Sequence, residues 1–253
     1  MSTLGVVVYS LQGMKHRAQC LESVRWADVI VVLHAGDGEP SIGADPRPAP
    51  ILQKFSPKQE IRQFCQGIKT DWVLHLWGEE RVEGELSEEL RALCKAELPQ
   101  SPLRYRIPIR SRLLGRWAEG SLWGSSPALR LSRELEGLAP GGWWHETDRR
   151  LRQGSGLLRG WIGDYSSARL GDGVDRVNLV SSLWAERLQE GSGSPTSAAM
   201  ALRSLRVFVR LLFMNGVFSH GLAGLTLSAL AAYATLLSGA RVWEAGNVRQ
   251  IAG

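Results

Sequence analysis

The run from Trp72 to Trp77, Trp-Val-Leu-His-Leu-Trp, constrains the fold more than any other stretch, because it has the composition of a buried β-strand. It ends abruptly in Gly78, which is followed by Glu79 and Glu80. In an open α/β sheet, ligands bind beyond the carboxyl ends of the strands, where acids can face a cation, a sugar hydroxyl or a diphosphate-bound metal. An acidic pair also commonly begins a solvated turn before a helix, and spacing alone favours that interpretation.

The beginning of the chain predicts a βαβ unit. Leu4–Tyr9 and Asp28–Leu33 are continuous apolar runs typical of buried parallel strands, and His16–Trp26 between them carries apolar residues at helical spacing. The second run ends at His34, and a glycine-rich turn containing Asp37 follows. Such a turn lets a ligand approach the backbone, although it matches neither GxGxxG nor a P-loop. The pattern predicts an α/β fold.

The remaining elements are predicted from periodicity and from turn residues. The predicted helices are Gln59–Ile68, Ser87–Leu98 with Ser87 as its N-cap, and Gly171–Glu190. The predicted strands are Tyr105–Ile109, with Pro108 at an edge or irregular position, and Leu129–Leu131. Loops are predicted where proline and glycine cluster, at Pro40–Pro50 and Pro140–Glu146.

Cysteine usage and charge narrow the classes of function. The cysteines Cys20, Cys65 and Cys94 form no CxxC pair, so we expect reduced thiols in a cytoplasmic protein, not a disulfide frame or a zinc site. The formal net charge is +5, and residues 191–253 hold five arginines against the single acid Glu244. Nearly all the excess charge therefore lies in the last quarter of the chain. This predicts an anionic partner surface, membrane headgroups first and nucleic acid second.

The last segment is predicted to be amphipathic. Arg203, Arg206 and Arg210 fall within roughly 60° of one another on a helical wheel. Apolar side chains are expected on the opposite side: Leu205, Phe208, Val209 and Leu212. This is what an interfacial membrane helix needs, and the alternative is a helix docked on the core with its arginines in water. Gly221–Ser238 only just reaches a spanning length and is weakly apolar, so we expect a helical hairpin lying on the bilayer or on the protein body.

Seven separated stretches match one family in order and spacing over almost the whole chain: Cys20–Val32, Thr70–Leu74, Tyr105–Pro108, Leu114–Trp117, Leu129–Leu131, His145–Glu146 and Leu222–Leu225. Together they resemble bacterial glycosyltransferase family 2 proteins, particularly the subgroup linked to lipopolysaccharide core assembly. The resemblance implies a GT-A fold, with a Rossmann-like nucleotide-sugar-binding sheet and an acceptor region over residues 1–170. It also implies a helical, membrane-proximal region over residues 171–253.

The resemblance further implies a reaction, the transfer of a sugar from a nucleotide-sugar to a hydroxyl acceptor with inversion at the anomeric carbon. Such chemistry needs a pocket for the nucleotide, positive charge on the departing diphosphate and a general base. The positive charge comes either from a divalent ion on carboxylates or from arginines. By resemblance, Glu146 is the predicted base and His145 a ligand or positioning residue. The alternative is a loop histidine satisfied by local hydrogen bonds.

The resemblance also places a donor site after three strands, and there the chain departs from the family pattern. The implied donor-binding residues are Tyr9, Ser10, Leu11, His34, Gly36, Asp37, Trp77, Glu79 and Glu80. Trp77-Gly78-Glu79 stands where the family has Asp-x-Asp, and His34 stands where an aspartate is typical. Because tryptophan cannot coordinate a cation, Glu79 is the remaining candidate ligand for Mg²⁺ or Mn²⁺, with weakened affinity as the expected cost. Trp77 can stack on a ring face, but packing is the simpler interpretation.

A basic cluster is the predicted acceptor or phosphate-binding region. Its members, with one aromatic neighbour, are Arg106, Arg110, Arg112, Arg116, Trp123 and Arg130. A guanidinium group can bind two oxygens of a phosphate through two parallel N–H···O hydrogen bonds, which suits a phosphorylated or lipid-linked acceptor. The alternative for any single arginine is a solvated basic loop.

Two functions follow from these patterns. The first is an enzyme, cytoplasmic and peripheral to the inner membrane, that glycosylates an envelope glycan or a lipid-linked acceptor. The second is a pseudo-enzyme that keeps the fold as a binding or assembly module after its donor site has decayed. Nucleic-acid binding ranks last, since no recognised motif accompanies the charge. A serine hydrolase is unsupported, because no GxSxG stands between a strand and a helix.

Overall fold

The computed structural model describes residues 2–11, 16–35, 49–54, 68–96, 102–113, 115–119, 126–133, 154–190, 196–214 and 221–251. The chain divides into two compact units. Unit 1 comprises Met1–Arg110 and Gly124–Ser166, and unit 2 comprises Ser111–Trp123 and Ser167–Gly253. The loop predicted at Pro140–Glu146 lies outside the described residues, as do nearly all of the helix predicted at Gln59–Ile68 and most of the loop predicted at Pro40–Pro50.

The strands, in chain order, are β1 (Leu4–Leu11), β2 (Val29–Ala35), β3 (Ile51–Lys54), β4 (Trp72–Trp77), β5 (Glu80–Val82), β6 (Arg104–Ile107), β7 (Ile109–Leu113), β8 (Arg116–Glu119), β9 (Ala128–Ser132), β10 (Gly156–Leu157) and β11 (Ile162–Asp164). The helices are α1 (Arg17–Ser23), α2 (Gly84–Lys95), α3 (Leu170–Glu190), α4 (Ser197–Val209) and α5 (Leu222–Ile251), and a π-helical turn, Arg210–Met214, follows α4.

A seven-stranded sheet forms the centre of unit 1, in the order β10-β6-β9-β4-β1-β2-β3. Strands β3, β2, β1 and β4 run parallel, whereas β9 is antiparallel to both of its neighbours, β4 and β6. The predicted α/β fold, with a parallel-rich central sheet and a helical C-terminal region, is therefore confirmed.

The apolar runs form central strands because both of their faces are buried. Alternate residues of β1, β2 and β4, such as Val8, Val32 and Leu76, enter a core that also contains Cys20 of α1 and Leu90 of α2. Side chains on the opposite face are buried as well, among them Val7, Tyr9, Leu33, His75 and Trp77. A strand covered on both sides requires a continuous apolar run, which is the pattern that identified these strands in the sequence.

The prediction that Ser87 caps the N-terminus of the helix at Ser87–Leu98 is wrong. Helix α2 begins at Gly84 after Glu83, whose extended backbone occupies the N-cap position without a side-chain hydrogen bond. The Ser87 N–H donates to the Glu83 carbonyl oxygen at 2.9 Å, as in a helix interior. Sequence preference placed the helix start at the serine, whereas the backbone had already turned helical three residues earlier.

The strand predicted at Tyr105–Ile109 is two strands, β6 and β7, separated by Pro108. Proline has no N–H to give to a ladder, and its carbonyl oxygen instead accepts the Ile162 N–H at 2.9 Å. Five short strands were not predicted: β3, β5, β8, β10 and β11, of two to four residues each. Runs this short carry too few alternations to be recognised by period. Among them, β5 pairs antiparallel with β11.

Unit 2 is mainly helical, and both α3 and α4 pack against α5. Gly239 lies against Met200, and the Ser204 hydroxyl donates to the Ala232 carbonyl oxygen at 2.7 Å, so α4 and α5 run antiparallel. The segment predicted at Gly221–Ser238 lies, except for Gly221, in one continuous helix of 30 residues. Within the described chain, Leu222–Ala245 is the one stretch whose length and hydropathy would suit a membrane span, and 56% of its most apolar window is buried in the protein.

The apolar side of α4, which the sequence analysis assigned either to a membrane surface or to the core, is only partly buried. Leu212 is buried beyond the end of the helix, but Leu205 and Val209 are exposed. Two more exposed apolar side chains lie on the same surface, Leu202 and Phe213. Since all three arginines of the predicted basic stripe, Arg203, Arg206 and Arg210, are exposed as well, an apolar row lies directly beside a basic row.

The closest backbone approach in unit 1 gives a stability prediction. A Cβ at Gly160 would lie 2.5 Å from the Leu86 nitrogen of α2, whereas a Cβ at Gly84 would meet nothing within 4 Å. We expect Gly160→Ala to lower the free energy of unfolding by about 3 kcal/mol, because backbone atoms cannot move aside. Gly84→Ala, the matched control, should be neutral or stabilising by up to about 1 kcal/mol. Urea denaturation measures both, and equal stability of the two variants would contradict the close approach.

Candidate functional site

The strand order reverses at the junction of β1 and β4, which is where open α/β sheets bind ligands. β1 pairs with β2 on one side and with β4 on the other, and both pairings are parallel. Tyr9 and Trp77 are partners in register at the carboxyl ends of β1 and β4. The Gly78 N–H donates to the Tyr9 carbonyl oxygen at 2.8 Å. The predicted donor residues of these two strands therefore lie side by side at the switch point.

Ser10 and His34 are also partners in register, on β1 and β2. The Ser10 hydroxyl and the His34 Nδ1 are both buried, and neither has a hydrogen-bond partner among the described residues. Buried polar atoms are normally paired, so each is a place where a ligand or a further part of the chain can supply a bond. Both residues belong to the predicted donor site.

The acidic pair after β4 does not begin a solvated turn, and that interpretation is wrong. Glu79 is 6% exposed and Glu80 is fully buried, and the strand β5 begins directly at Glu80. The Glu79 carbonyl oxygen accepts the Tyr165 N–H at 3.1 Å, which ties this turn to the residue that follows β11. The turn is therefore part of the folded interior of unit 1.

Glu80 is held by an ion pair with Arg130 of β9. The Arg130 Nη2 donates to the Glu80 Oε1 at 2.8 Å, and the Trp77 N–H donates to the Glu80 Oε2 at 2.8 Å. Both carboxylate oxygens thus have partners inside the protein, as a buried charge requires. This pairing is a structural role that the sequence analysis did not include. The predicted donor role of Glu80 and the phosphate-binding role of Arg130 stay predictions.

Tyr9, His75 and Trp77 form an aromatic group on the same face of the sheet. The Tyr9 hydroxyl lies 3.0 Å from the His75 Nδ1, and the two rings are stacked with centroids 6.1 Å apart. The Trp77 ring lies against Tyr9 at 5.5 Å and is 3% exposed, which supports the packing interpretation of Trp77. Burial, together with the charge of Arg130, lowers the pKa of His75 to about 3, so the imidazole is neutral near pH 7.

Two arginines beside this turn were missed in the sequence. Arg17 opens α1, and one turn later the Cys20 thiol donates to the Trp77 carbonyl oxygen at 3.4 Å, so this face of α1 lies over the end of β4. Burial lowers the pKa of Arg17, whereas the thiol of Cys20 and the carboxylate of Glu79 raise it. Arg81 places its guanidinium 3.9 Å from the Tyr165 ring centroid.

Cys20 shows that these groups share one neighbourhood. Burial raises the pKa of the Cys20 thiol, the negative charge of Glu80 adds to the rise, and the charges of Arg81 and Arg17 oppose it. The His16 ring lies 6.4 Å from the Tyr165 ring, between the start of α1 and the end of β11. The sequence could have indicated these two arginines by their positions. Arg17 begins the first helix after β1, and Arg81 directly follows the acidic pair.

The predicted arginine cluster is divided between the two units. Within unit 1, Arg106 is half-buried on β6, and the Arg110 guanidinium lies 4.9 Å from the Trp161 ring centroid. Within unit 2, the Arg112 guanidinium lies 5.8 Å from the Trp117 ring centroid, and Arg116 is exposed. Stacking on tryptophan is common for guanidinium groups at a protein surface, and the acceptor role of these arginines stays a prediction.

Five predicted site residues lie outside the described residues: Gly36, Asp37, Trp123, His145 and Glu146. The proposed base and its neighbouring histidine therefore stay predictions from the sequence. Leu11 is placed at the end of β1 by its backbone.

The described residues include one candidate ligand for a divalent cation, Glu79. No group of three or more histidine, cysteine, aspartate or glutamate side chains gathers among them, and Glu80 is paired with Arg130. Because Mg²⁺ beside a nucleotide is commonly held by one or two carboxylates together with the phosphates, the divalent ion on Glu79 stays a prediction.

No known protein-family profile matches the sequence. The fold is similar to the crystal structure of S. aureus TarS, with a TM-score of 0.43 and 11% identity over 87% of this chain. The match covers 46% of that TarS chain, so the present chain spans less than half of its length. A TarS structure of residues 1–349 gives a TM-score of 0.39 and 12% identity over 87% of this chain and 72% of that one. Likeness at this level concerns the fold alone.

The buried histidine gives a pH prediction. The folded pKa of about 3 lies below the ordinary value of 6.5, so the unfolded chain takes up a proton that the folded chain does not. Stability is therefore fully present above pH 6.5 and is lost as the pH falls from 6.5 towards 3, by up to about 1.4 kcal/mol per pH unit. In His75→Gln this contribution to the slope should vanish. Urea denaturation at pH 7, 6, 5 and 4 measures the difference between the two proteins, and parallel pH profiles would contradict the assignment.

Proposed function

We propose that this chain is a GT-A-type inverting glycosyltransferase that moves a sugar from a nucleotide-sugar to a hydroxyl of an envelope glycan or a lipid-linked acceptor. The observation that carries the proposal is the placement of the predicted donor residues. Ser10 and His34 are neighbours in register at the carboxyl ends of β1 and β2, with buried polar atoms that have no described partner. Tyr9 and Trp77 end the two strands at the switch point, where nucleotides bind in such sheets.

The stretches that carry the family resemblance support the same proposal. Cys20–Val32 runs from the second half of α1 into β2, Thr70–Leu74 enters β4, Tyr105–Pro108 overlaps most of β6, and Leu129–Leu131 lies in β9. Four stretches far apart in sequence thus contribute to one sheet and to the helix that packs on it.

In the proposed reaction, an acceptor hydroxyl attacks the anomeric carbon of the donor sugar. The bond between that carbon and the diphosphate oxygen breaks, the electron pair leaves with the nucleoside diphosphate, and the configuration inverts. Glu146 takes the proton of the attacking hydroxyl, and His145 positions the Glu146 carboxylate. The strand ends of β1, β2 and β4 hold the nucleotide.

A second candidate function has its own support. Trp77, which stands at the first position of the altered acidic motif, packs on Tyr9, and Glu80, which follows the motif, is bound to Arg130. Both side chains thus serve the fold. A chain that kept this sheet while losing donor chemistry would act as a binding or assembly module. The two functions differ in whether the chain binds and consumes a nucleotide-sugar.

The activity test is nucleoside diphosphate release from a panel of UDP- and GDP-sugars. We expect release by the wild-type chain and a loss of about 10²- to 10⁴-fold in kcat for Glu146→Gln, because the amide cannot accept the proton. Glu88→Gln, an exposed change on α2, is the control and should leave the rate unchanged. Absence of both binding and release across the panel would defeat the enzyme and favour the pseudo-enzyme, whereas tight, metal-enhanced binding of a nucleotide-sugar would count against a decayed donor site.

We also propose that the protein works on the cytoplasmic side of the inner membrane, as a peripheral protein attached through unit 2. Support comes from the outward side of α5, where Leu222, Leu225, Tyr233, Leu236 and Trp243 are exposed at helical spacing. The helix neighbours do not cover this row. Contacts to α3 and to α4 involve other sides of α5.

The exposed surface of α4 adds charge to this apolar row. Arg203, Arg206 and Arg210 are exposed beside Leu205 and Phe213, and the helix contains no acidic residue. An apolar strip flanked by arginines suits an anionic bilayer surface, in which the apolar side chains enter the acyl boundary and the arginines meet headgroups. One face of α4 docks on α5, and another carries the exposed arginines and apolar side chains. The proposal joins the two interpretations of this helix, docking on the protein and contact with lipid.

Vesicle sedimentation tests this attachment. The chain should sediment with vesicles containing phosphatidylglycerol and not with pure phosphatidylcholine vesicles, and salt should weaken the binding. Replacing Arg203, Arg206 and Arg210 together by glutamine should weaken it by roughly 100-fold, at about 1 kcal/mol for each arginine. The control replaces three exposed arginines of unit 1, Arg25, Arg91 and Arg159, in the same way. An equal loss of vesicle binding in both triple variants would show that net charge alone drives the binding, and would contradict attachment through the α4 surface.

A further inference from the structure

The outward side of α5 is a continuous apolar row. Its exposed members follow one another at intervals of three or four positions, and none of them is charged: Leu222, Leu225, Ala229, Tyr233, Leu236, Ala240 and Trp243. From end to end this outer row measures about 31 Å, at a rise of about 1.5 Å per residue. That length matches the hydrocarbon core of a bilayer, so length alone allows α5 either to cross a membrane or to lie along one.

The serine and threonine hydroxyls of α5 place no unsatisfied polar group beside the outer row. Each of the four hydroxyls between Leu222 and Ala245 donates to the carbonyl oxygen four residues earlier in the helix. The donors are Thr226, Ser228, Thr235 and Ser238, at distances of 2.8, 2.9, 2.9 and 2.6 Å. A hydroxyl that is bonded to its own helix needs no water, so α5 tolerates contact with lipid along its length.

The neighbouring helix α4 brings positive charge to the middle of α5. The Ser204 hydroxyl donates to the Ala232 carbonyl oxygen, and Ala232 lies near the midpoint of Leu222–Ala245, the stretch whose length and hydropathy suit a span. Arg203 and Arg206 lie within two positions of Ser204, and both are exposed. If α5 crossed a membrane, these two guanidinium groups would therefore lie near the bilayer centre, where charge is strongly disfavoured.

Helix α3 brings acidic charge to the same level of α5. A Cβ at Gly173 would lie 3.1 Å from the Leu230 Cδ1, so the two helices are in contact two residues before Ala232. Asp172 and Asp175 flank Gly173, and Asp175 is exposed. A spanning α5 would thus carry charged side chains of two packed neighbours into the hydrocarbon. The packing of unit 2 strongly disfavours that orientation.

The two aromatic members of the outer row fit a helix that lies along the membrane surface. Tyr233 and Trp243 are both exposed, and each combines an apolar ring with one polar group. Such side chains are enriched where hydrocarbon meets headgroups. With α5 along the surface, both polar groups reach the headgroup level. With α5 across the membrane, the Tyr233 hydroxyl would lie near the bilayer centre.

The charge of α4 indicates that the outer row meets lipid and not a second copy of the chain. Helix α4 contains no acidic residue, and Arg203, Arg206 and Arg210 are exposed on it. A second copy docked here would add more positive charge to this neighbourhood, whereas anionic headgroups would neutralise the charge already present.

We infer that α5 lies in the plane of the membrane, with its outer row in the acyl boundary of one anionic leaflet, and that it does not cross the bilayer. The inference rests on the proposed attachment through unit 2, and it adds the depth and the direction of the attached helix. The arginines of α4 then lie at the headgroups of the same leaflet.

Depth measurements on the whole chain test the inference. Leu225→Cys, Ala229→Cys, Leu236→Cys and Ala240→Cys are made one at a time in a chain with Cys65→Ser, and each new thiol carries a fluorescent label. The vesicles contain phosphatidylglycerol, phosphatidylcholine and a nitroxide lipid, labelled either near the headgroup or near the end of the acyl chain. We expect the shallow nitroxide to quench all four labels more than the deep one, at depths that agree within about 3 Å, because an in-plane helix keeps its row at one depth.

Two controls accompany these variants. Asp175→Cys places a label on an exposed position of α3 at the level of the middle of α5. The deep nitroxide should not quench this label. The Cys65→Ser chain, treated with the same reagent, measures the background from Cys20 and Cys94, which are both buried.

The possible outcomes separate the inference from the proposed attachment. In a spanning helix the Leu236 label would be the deepest, the Leu225 label would lie about 9 Å nearer to the headgroups, and the deep nitroxide would quench the Asp175 label. That pattern would overturn the inference and leave the attachment standing. Bound chain whose row labels no nitroxide quenches would also overturn the inference alone, and association of two chains through the row would then explain shielding of the labels from water. A chain that binds no vesicles would overturn both.

Discussion

The buried ion pair between Glu80 and Arg130 fixes the turn around which the candidate site of unit 1 is built. It joins the turn after β4 to the antiparallel strand β9, two elements 50 residues apart in sequence. Because Glu80 also accepts the Trp77 N–H, the carboxylate fixes both the end of β4 and the start of β5. Burying one of these charges without its partner would strongly lower the free energy of unfolding. Any geometry of this turn that separates Glu80 from Arg130 is therefore unfavourable.

That constraint explains how neighbouring groups acquire distinct roles. With Glu80 committed to Arg130, Glu79 is the acid of the pair that remains near Arg17, and Trp77 is directed against Tyr9. The positive charge of Arg130 in turn helps to keep His75 neutral. A pattern that resembles a metal-binding motif in sequence thus becomes, in three dimensions, part of a polar interior with arginines at its edge.

The sequence predicted the strands whose apolar runs are continuous and the long helix α3, because burial on two sides and helical period leave strong local patterns. It could not predict the pairing of Glu80 with Arg130, because nothing local connects a carboxylate to a guanidinium on another strand. The wheel of α4 identified its two rows of side chains but left open whether the apolar row faces outward, as Leu205 and Val209 do. Which face docks depends on α5, whose contacts through Ala232 and Gly239 are set by packing. Gly36, Asp37, Trp123, His145 and Glu146 still rest on sequence resemblance.

The thiol of Cys20 illustrates a consequence of placing the start of α1 against the end of β4. It is wholly enclosed, bonded to the Trp77 carbonyl oxygen and kept protonated by its surroundings. A protonated, enclosed sulfur is a poor nucleophile, so alkylating reagents can reach it only when α1 lifts from the sheet. The rate at which Cys20 is labelled would therefore report how often α1 separates locally from the sheet.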